Sequence, residues 1–181
     1  PGDLIARQYE VVEVLGEGGA SVVYKAKHAV LETECAIKVL LPDRLPDMRA
    51  VQRFQLEAKS ISRLEHPHIV AVHEFGIDDD NQPYLVMDVV DGKSLAQLVE
   101  ENSFLRPNRA LALFTQITEA LMHAHSRSVI HRDLKPKNVI VQRAGQENES
   151  ARLVDFGIAK ITEVGNENQS LTQTGEVFGS P

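Results

Sequence analysis

Alternating apolar and polar positions organise the first half of the chain. Residues 9–15, YEVVEVL, read as a strand that runs into GEGGAS and then the β-rich VVYKAKH, so two short strands flank a glycine-rich turn as a hairpin. TECAIKVLL follows as a further strand, with Pro42 and Pro46 punctuating its end. Over 49–64 the period changes: Val51, Phe54, Ala58, Ile61 and Leu64 recur at spacings of three and four, which predicts an amphipathic helix. HPHIVAVHEFGI and PYLVMDVV read as strands joined by the acidic turn DDDNQ. In the second half Ser94 is the expected N-cap of a helix over LAQLVEE. Pro107 opens a long helix over 107–126, with Leu113, Ile117, Ala120, Leu121 and Ala124 on its apolar face. VIVQ and ARLVDF are short strands separated by the polar loop RAGQENES, and 158–181, polar and without a sustained period, reads as a mobile loop.

Composition narrows the class only a little. The chain has 181 residues, 43% apolar and 25% charged, which suits one domain or a two-lobed unit. A net charge of −7 without a basic block argues against a nucleic-acid partner. Cys35 is the single cysteine, so no intrachain disulfide framework exists, and a cytoplasmic setting is expected for this region. No apolar run reaches ~18 residues, and the amino terminus has neither an initiating Met nor a signal-like stretch. The piece reads as cut from something longer, whose membrane anchor, if any, lies elsewhere.

Four short stretches carry chemistry. In GEGGASVV, Gly16 and Gly18 lack a β-carbon, so backbone N–H groups could approach a phosphate; alone, glycines in a hairpin are more often turn residues. Lys38 lies within the apolar CAIKVLL on the same strand face as Ala36, and an ammonium placed there needs a partner anion unless it snorkels to water. Glu57, beside Ala58 at the edge of the helix stripe, is a candidate partner, although a Glu so placed is normally a solvated face residue. In HRDLKPKN, Asp133, Lys135 and Asn138 put a carboxylate, an ammonium and an amide oxygen in one loop. A carboxylate can receive a hydroxyl proton, a lysine can neutralise a moving phosphate, and an amide oxygen can ligate Mg2+. In DFG, Asp155 sits at a strand end before Gly157, a placement that suits a hard cation. His66 and His68, like His123 and His125, have the H-x-H spacing but no third ligand or Cys pair to make a zinc site. Cys35 reads as a small core residue.

Together, in this order and spacing, GEGGAS, AIK at 36–38, Glu57, HRDLKPKN at 131–138 and DFG at 155–157 resemble the eukaryotic-type (Hanks-type) serine/threonine protein kinase catalytic domain. The resemblance runs from about Tyr9 to Pro181 and is closest in style to bacterial members. It implies an α+β, two-lobed fold: an antiparallel small-lobe sheet with one helix and a hinge over 9–90, then a partial, mainly helical large lobe over 91–181.

The resemblance further implies that Gly16, Glu17, Gly18, Gly19, Ala20 and Ser21 cover the ATP phosphates, and that Lys38, paired to Glu57, holds two of them. Asp133 would accept the proton of a substrate hydroxyl, Lys135 would meet the γ-phosphate, and Asn138 and Asp155 would hold Mg2+, or alternatively Mn2+. Val23, Ala36, Leu95 and Ile140 would sandwich adenine, with Met87 behind it and Asp88 to Val90 as the hinge. Ile61, Val72, His131 and Phe156 match the stack that aligns the lobes. Arg132 implies control by loop phosphorylation at Thr172 and Thr174, with Ser170 behind them, and with trans-autophosphorylation in a kinase–kinase dimer. Ser21 departs from the glycine pattern, and nothing in the sequence explains Lys137. The chain stops at Pro181, inside the activation segment, so the helix over 107–126 should lack its neighbour and the isolated piece is expected to be inactive or marginally folded. The rival expectation is a catalytically silent nucleotide-binding or scaffold module.

Overall fold

A computed structural model describes residues 2–18, 21–41 and 48–156, without the side chains of 48–50 and 53. Gly19, Ala20, Gly157, Ser170, Thr172, Thr174 and the two prolines at 42 and 46 lie outside the described residues. The strands are β1 (Leu4–Ile5), β2 (Tyr9–Glu17), β3 (Ser21–His28), β4 (Glu34–Leu40), β5 (Val72–Ile77), β6 (Pro83–Met87), β7 (Lys93–Ser94), β8 (Val139–Gln142) and β9 (Ser150–Leu153). The helices are α1 (Met48–Ile61), α2 (Leu95–Asn102) and α3 (Pro107–Ser126), with a 3-10 turn at Pro136–Asn138.

One six-stranded sheet, ordered β1-β2-β3-β4-β6-β5, is antiparallel throughout; a second, of three strands, runs β7-β8-β9. β2 and β3, the two strands expected on either side of the glycine-rich stretch, pair antiparallel, with Glu17 opposite Val22. β4 is buried on both faces, and strand alternation divides its side chains between two clusters. Ala36 and Leu40 join Phe54, Ala58 and Ile61 of α1, whereas Cys35, Ile37 and Val39 pack with Tyr9, Tyr84 and Val86 on the opposite face. Cys35 is thus the core residue expected, its thiol pushed up by burial. On that opposite face Glu74 accepts hydrogen bonds from Tyr9 Oη (2.6 Å) and Tyr84 Oη (2.8 Å), tying β2, β5 and β6 together.

The helices follow the sequence closely. Ser94 caps α2 in a reciprocal capping box with Gln97. Leu113, Ile117, Ala120 and Ala124 of α3 are buried and Leu121 is partly so, while Leu111, Phe114 and Met122 stay exposed. Arg109 of α3 forks onto Glu149 with its closest contact at 2.6 Å, anchoring the β8–β9 turn to the helix.

Three expected strands are shorter than their apolar runs. HPHIVAVHEFGI becomes a strand only from Val72, because the preceding residues bond sideways to β9: Val70 N–H reaches Leu153 O (3.0 Å) and Leu153 N–H reaches His68 O (2.8 Å). There His66 also meets His123 of α3, ring centroids 5.0 Å apart. PYLVMDVV ends as a strand at Met87, since Asp88 turns its N–H to Ala71 O at 3.0 Å. ARLVDF ends at Leu153, where Val154 N–H turns to Asn138 O at 3.0 Å. β1 and β7, two residues each, carry too little pattern to predict. Among the described residues no helix is long and apolar enough to cross a membrane.

Candidate active site

The loop between α3 and β8 is built around a tight backbone turn. Asp133 N–H bonds His131 O at 2.8 Å, with Arg132 between them at φ 59°. This γ-type turn is strained for a residue with a β-carbon, and such strain concentrates at functional sites. It is held by what surrounds it. His131 is buried, its ring 4.5 Å from that of Phe156, and its Nε2 lies 3.2 Å from Val154 O. That carbonyl assigns the proton to Nε2. Burial lowers the imidazole pKa, so the ring is neutral and packs as a spacer.

Beyond the turn, the expected trio is assembled. Lys135 Nζ donates to Asp133 Oδ2 at 2.6 Å, and Asn138 Nδ2 donates to the same oxygen at 3.1 Å and to Asp133 O at 2.8 Å. The 3-10 turn makes this convergence local: Asn138 N–H bonds Lys135 O at 2.9 Å, which swings the amide back under Asp133. Val154 then links the loop to β9 through both its backbone groups, so Asp155 is placed relative to Asp133 by two hydrogen bonds. Asp155 also has a left-handed backbone, φ 59°, which aspartate tolerates better than most residues.

Lys38 is buried, and its ammonium pairs with Asp155 across the space between the two sheets. The expected Lys38–Glu57 pair is not formed; Glu57 instead pairs with Arg132. Two cations and two carboxylates share this region, and each carboxylate has taken a different cation from the one expected. Asp155, carried on the link to β9, satisfies the buried ammonium, and the half-exposed Arg132 takes Glu57. The stack expected from Ile61, Val72, His131 and Phe156 does come together: Ile61 and Phe156 are buried in one cluster, Val72 packs against it, and His131 lies on the Phe156 ring. Behind Met87 this cluster leaves only a cavity of about 20 Å³ between Ile61, Val72, Leu85 and Phe156.

The residues expected around a base belong largely to this same cluster. Ala36, Met87 and Leu95 are buried in the same apolar cluster, with Val23 and Val90 packed against it. Ile140 faces Ser94 across β7–β8. Gly16, Glu17, Gly18 and Ser21 lie at the hairpin; a β-carbon on Gly16 would meet nothing within 4 Å. Gly92 is the opposite case and was missed as a site residue. A β-carbon there would come within 2.5 Å of Val141 O, so only glycine lets the chain leaving Val90 press against β8. Its signal, the glycine opening GKSL, is too short to separate from an ordinary turn.

As a donor set for a cation, Asp155 and Asn138 offer hard oxygens, and Asp155 already faces a positive group in Lys38. Two such ligands suit Mg2+ that keeps waters and phosphate oxygens, not a cage of protein ligands. Among the described residues no three His, Cys, Asp or Glu side chains gather as a metal site.

Comparison with known proteins agrees with this geometry. The family model described as a protein kinase domain matches residues 9–180. The serine/threonine-protein kinase pkn3 of Myxococcus xanthus is 39% identical over 180 residues, 99% of this chain and 33% of that protein. PrkC of Bacillus subtilis is 37% identical over 179 residues, 99% of this chain and 26% of that protein. The chain therefore spans a third or less of the curated relatives it matches. The crystal structure of the Mycobacterium tuberculosis PknI kinase domain superposes with a TM-score of 0.75 at 36% identity, covering 87% of this chain and 62% of that one. With a curled antiparallel sheet packed on one helix, and the family motifs in register over nearly its whole length, this chain belongs to the protein kinase domain family.

Proposed function

We propose that the protein transfers the γ-phosphoryl group of Mg·ATP to Ser or Thr hydroxyls of proteins. The observation that carries this reading is the convergence of Lys135 and Asn138 on one carboxylate oxygen of Asp133, in a chain of this family. In this reading 9–90 form the small lobe and hinge and 91–181 contribute to the large lobe. ATP supplies the phosphoryl group, and Mg2+ at Asp155 and Asn138 would offset its charge.

The chain's own residues position and neutralise. Asp133 receives the hydroxyl proton of the incoming side chain; Lys135, already within bonding distance, neutralises that carboxylate and then the transferring group. Asn138 fixes the Asp133 carboxylate through its amide nitrogen, and its amide oxygen would help hold Mg2+. Gly16, Glu17, Gly18, Gly19, Ala20 and Ser21 cover the phosphates. Val23, Ala36, Leu95 and Ile140 enclose the base, with Met87 at its back and the backbone of Asp88 and Val90 at its edge. Glu57 acts after exchanging Arg132 for Lys38, which lets Lys38 leave Asp155 for the phosphates. Phosphorylation at Thr172 and Thr174 would favour that exchange by offering Arg132 a stronger anion than Glu57.

The test is incubation of the intact protein with Mg·ATP labelled at the γ-phosphate, followed by site mapping. Label on Ser or Thr, absent in Lys38→Ala, is expected. Nucleotide binding with no transfer to any protein would favour a silent scaffold instead.

A further inference from the structure

The residue at the start of the proposed hinge is held from outside. Asp88 follows the last residue of β6, and its carboxylate makes two contacts. His73 Nε2 of β5 lies 2.6 Å from Oδ1, and Arg152 Nη1 of β9 lies 3.3 Å from Oδ2. Its backbone is fixed as well, N–H to Ala71 O at 3.0 Å. One side chain thus joins the six-stranded sheet, the segment leaving Met87 and the three-stranded sheet. Neither His73 nor Arg152 belongs to a motif considered above.

Arg152 has little reason to lie here other than Asp88. Its side chain is 29% exposed, and its Nε is buried without a hydrogen-bond partner among the described residues. A guanidinium desolvated on one edge needs a carboxylate on another. Arg152 also stands directly opposite Ile140 in the β8–β9 ladder, so the two side chains share a face, and Ile140 is proposed to floor the base. The same arginine therefore bonds the hinge, through Asp88, and stands opposite the floor, at Ile140.

We infer that His73 and Arg152 are positioning residues for the nucleotide, clamping Asp88 so that the hinge backbone is presented to the base in one orientation. This rests on the kinase reading, in which the hinge backbone reads adenine. The clamp acts by preorganisation: without it the hinge samples other orientations, and affinity falls by the fraction of time it is misplaced. The phosphates and Asp133 are not involved, so turnover at saturating ATP is spared.

The experiment measures the dissociation constant of a fluorescent ATP analogue, with Mg2+, on the intact protein, alongside kcat and KM for ATP. Arg152→Met should weaken binding roughly fivefold, as expected for one part-exposed charged contact. Arg152→Lys should restore most of it, and kcat should stay within about twofold. Adding Arg152→Met to Asp88→Asn should cost little more than Asp88→Asn alone, because loss of the Asp88 carboxylate already breaks the contact with Arg152. His73→Ala, on an exposed side chain that the fold does not need, should weaken binding about twofold. Unchanged affinity in Arg152→Met and His73→Ala, additive losses in the double variant, or a fall in kcat equal to that in kcat/KM would overturn the clamp. Absence of nucleotide binding by the unaltered protein would overturn the kinase reading, and the clamp with it.

Discussion

Two glycines of this chain should respond oppositely to the same added methyl group. In Gly92→Ala the new β-carbon lies 2.5 Å from Val141 O and 3.0 Å from Ile140 Cγ2, whereas ordinary contact begins at 3.4 Å. About 0.9 Å must be found, and neither wall yields easily. Val141 is fully buried, and β8 is the central strand of its sheet. Overpacking of this kind costs about 1–3 kcal/mol. For a chain of this size that lowers Tm by roughly 2–4 °C per kcal/mol. Since Ile140 moves with the strand, nucleotide affinity should fall as well. In Gly16→Ala the β-carbon meets nothing within 4 Å, and φ is not positive, so stability should hold to within about 0.5 kcal/mol. Affinity should nevertheless fall, because the space it fills is the one assigned to the phosphates. Thermal melts and titration with a fluorescent ATP analogue read both quantities. An unchanged melt in Gly92→Ala would refute the close-approach argument. Unchanged affinity in Gly16→Ala would refute the phosphate cradle.

Other consequences follow from particular contacts. Burial pushes the Glu149 carboxyl up, but the Arg109 guanidinium and the Gly145 N–H outweigh it, and the net shift is downward. The pair should therefore stabilise the fold above the usual carboxylate pKa of about 4.3 and lose that contribution as pH falls through the lower folded value. Arg109→Met should cost ~1–2 kcal/mol at neutral pH, with melting curves that converge on the unaltered protein in acid; a constant gap across pH would contradict this. Burial and then hydrogen bonding to Glu74 push the Tyr84 hydroxyl up to about 12 and raise Tyr9 also. Stability from these tyrosines is complete below about 10 and is lost as pH rises towards the folded values. Spectrophotometric titration should show Tyr84 ionising at lower pH in Glu74→Gln, and an unmoved curve would reject the pairing. Glu57→Gln removes a half-exposed pair with Arg132, so its stability should change by less than about 1 kcal/mol. Its kcat/KM should drop on the order of a hundredfold if Glu57 must orient Lys38 during turnover. Equal activity would mean that Glu57 serves Arg132 alone.

Local pattern made much of this legible. The helix over 107–126 and the strand VIVQ have the bounds the sequence predicts, because Pro107 fixes one start and the apolar period is unbroken. Ser94 caps α2 as its side chain requires. What escaped depends on contacts between distant segments. HPHIVA is apolar enough for a strand, yet bonds sideways to β9, 83 residues away at His68 and Ala151. The partners of Lys38 and Glu57 could not be read from burial and alternation, because four charges meet and the choice among them is made by three-dimensional placement. Gly92 is silent in sequence for the same reason: its crowding comes from β8. The residues of the HRDLKPKN loop were legible because Asp133, Lys135 and Asn138 meet through a single local turn.

The central claim is that Asp133 receives the substrate proton. Asp133→Asn keeps the size of the side chain and removes its basicity. Measured on the intact protein with Mg·ATP and a Ser/Thr protein substrate, phosphoryl transfer should fall by about 10²–10⁴-fold while nucleotide affinity stays unchanged. Transfer at the unaltered rate in Asp133→Asn would contradict the account at its core.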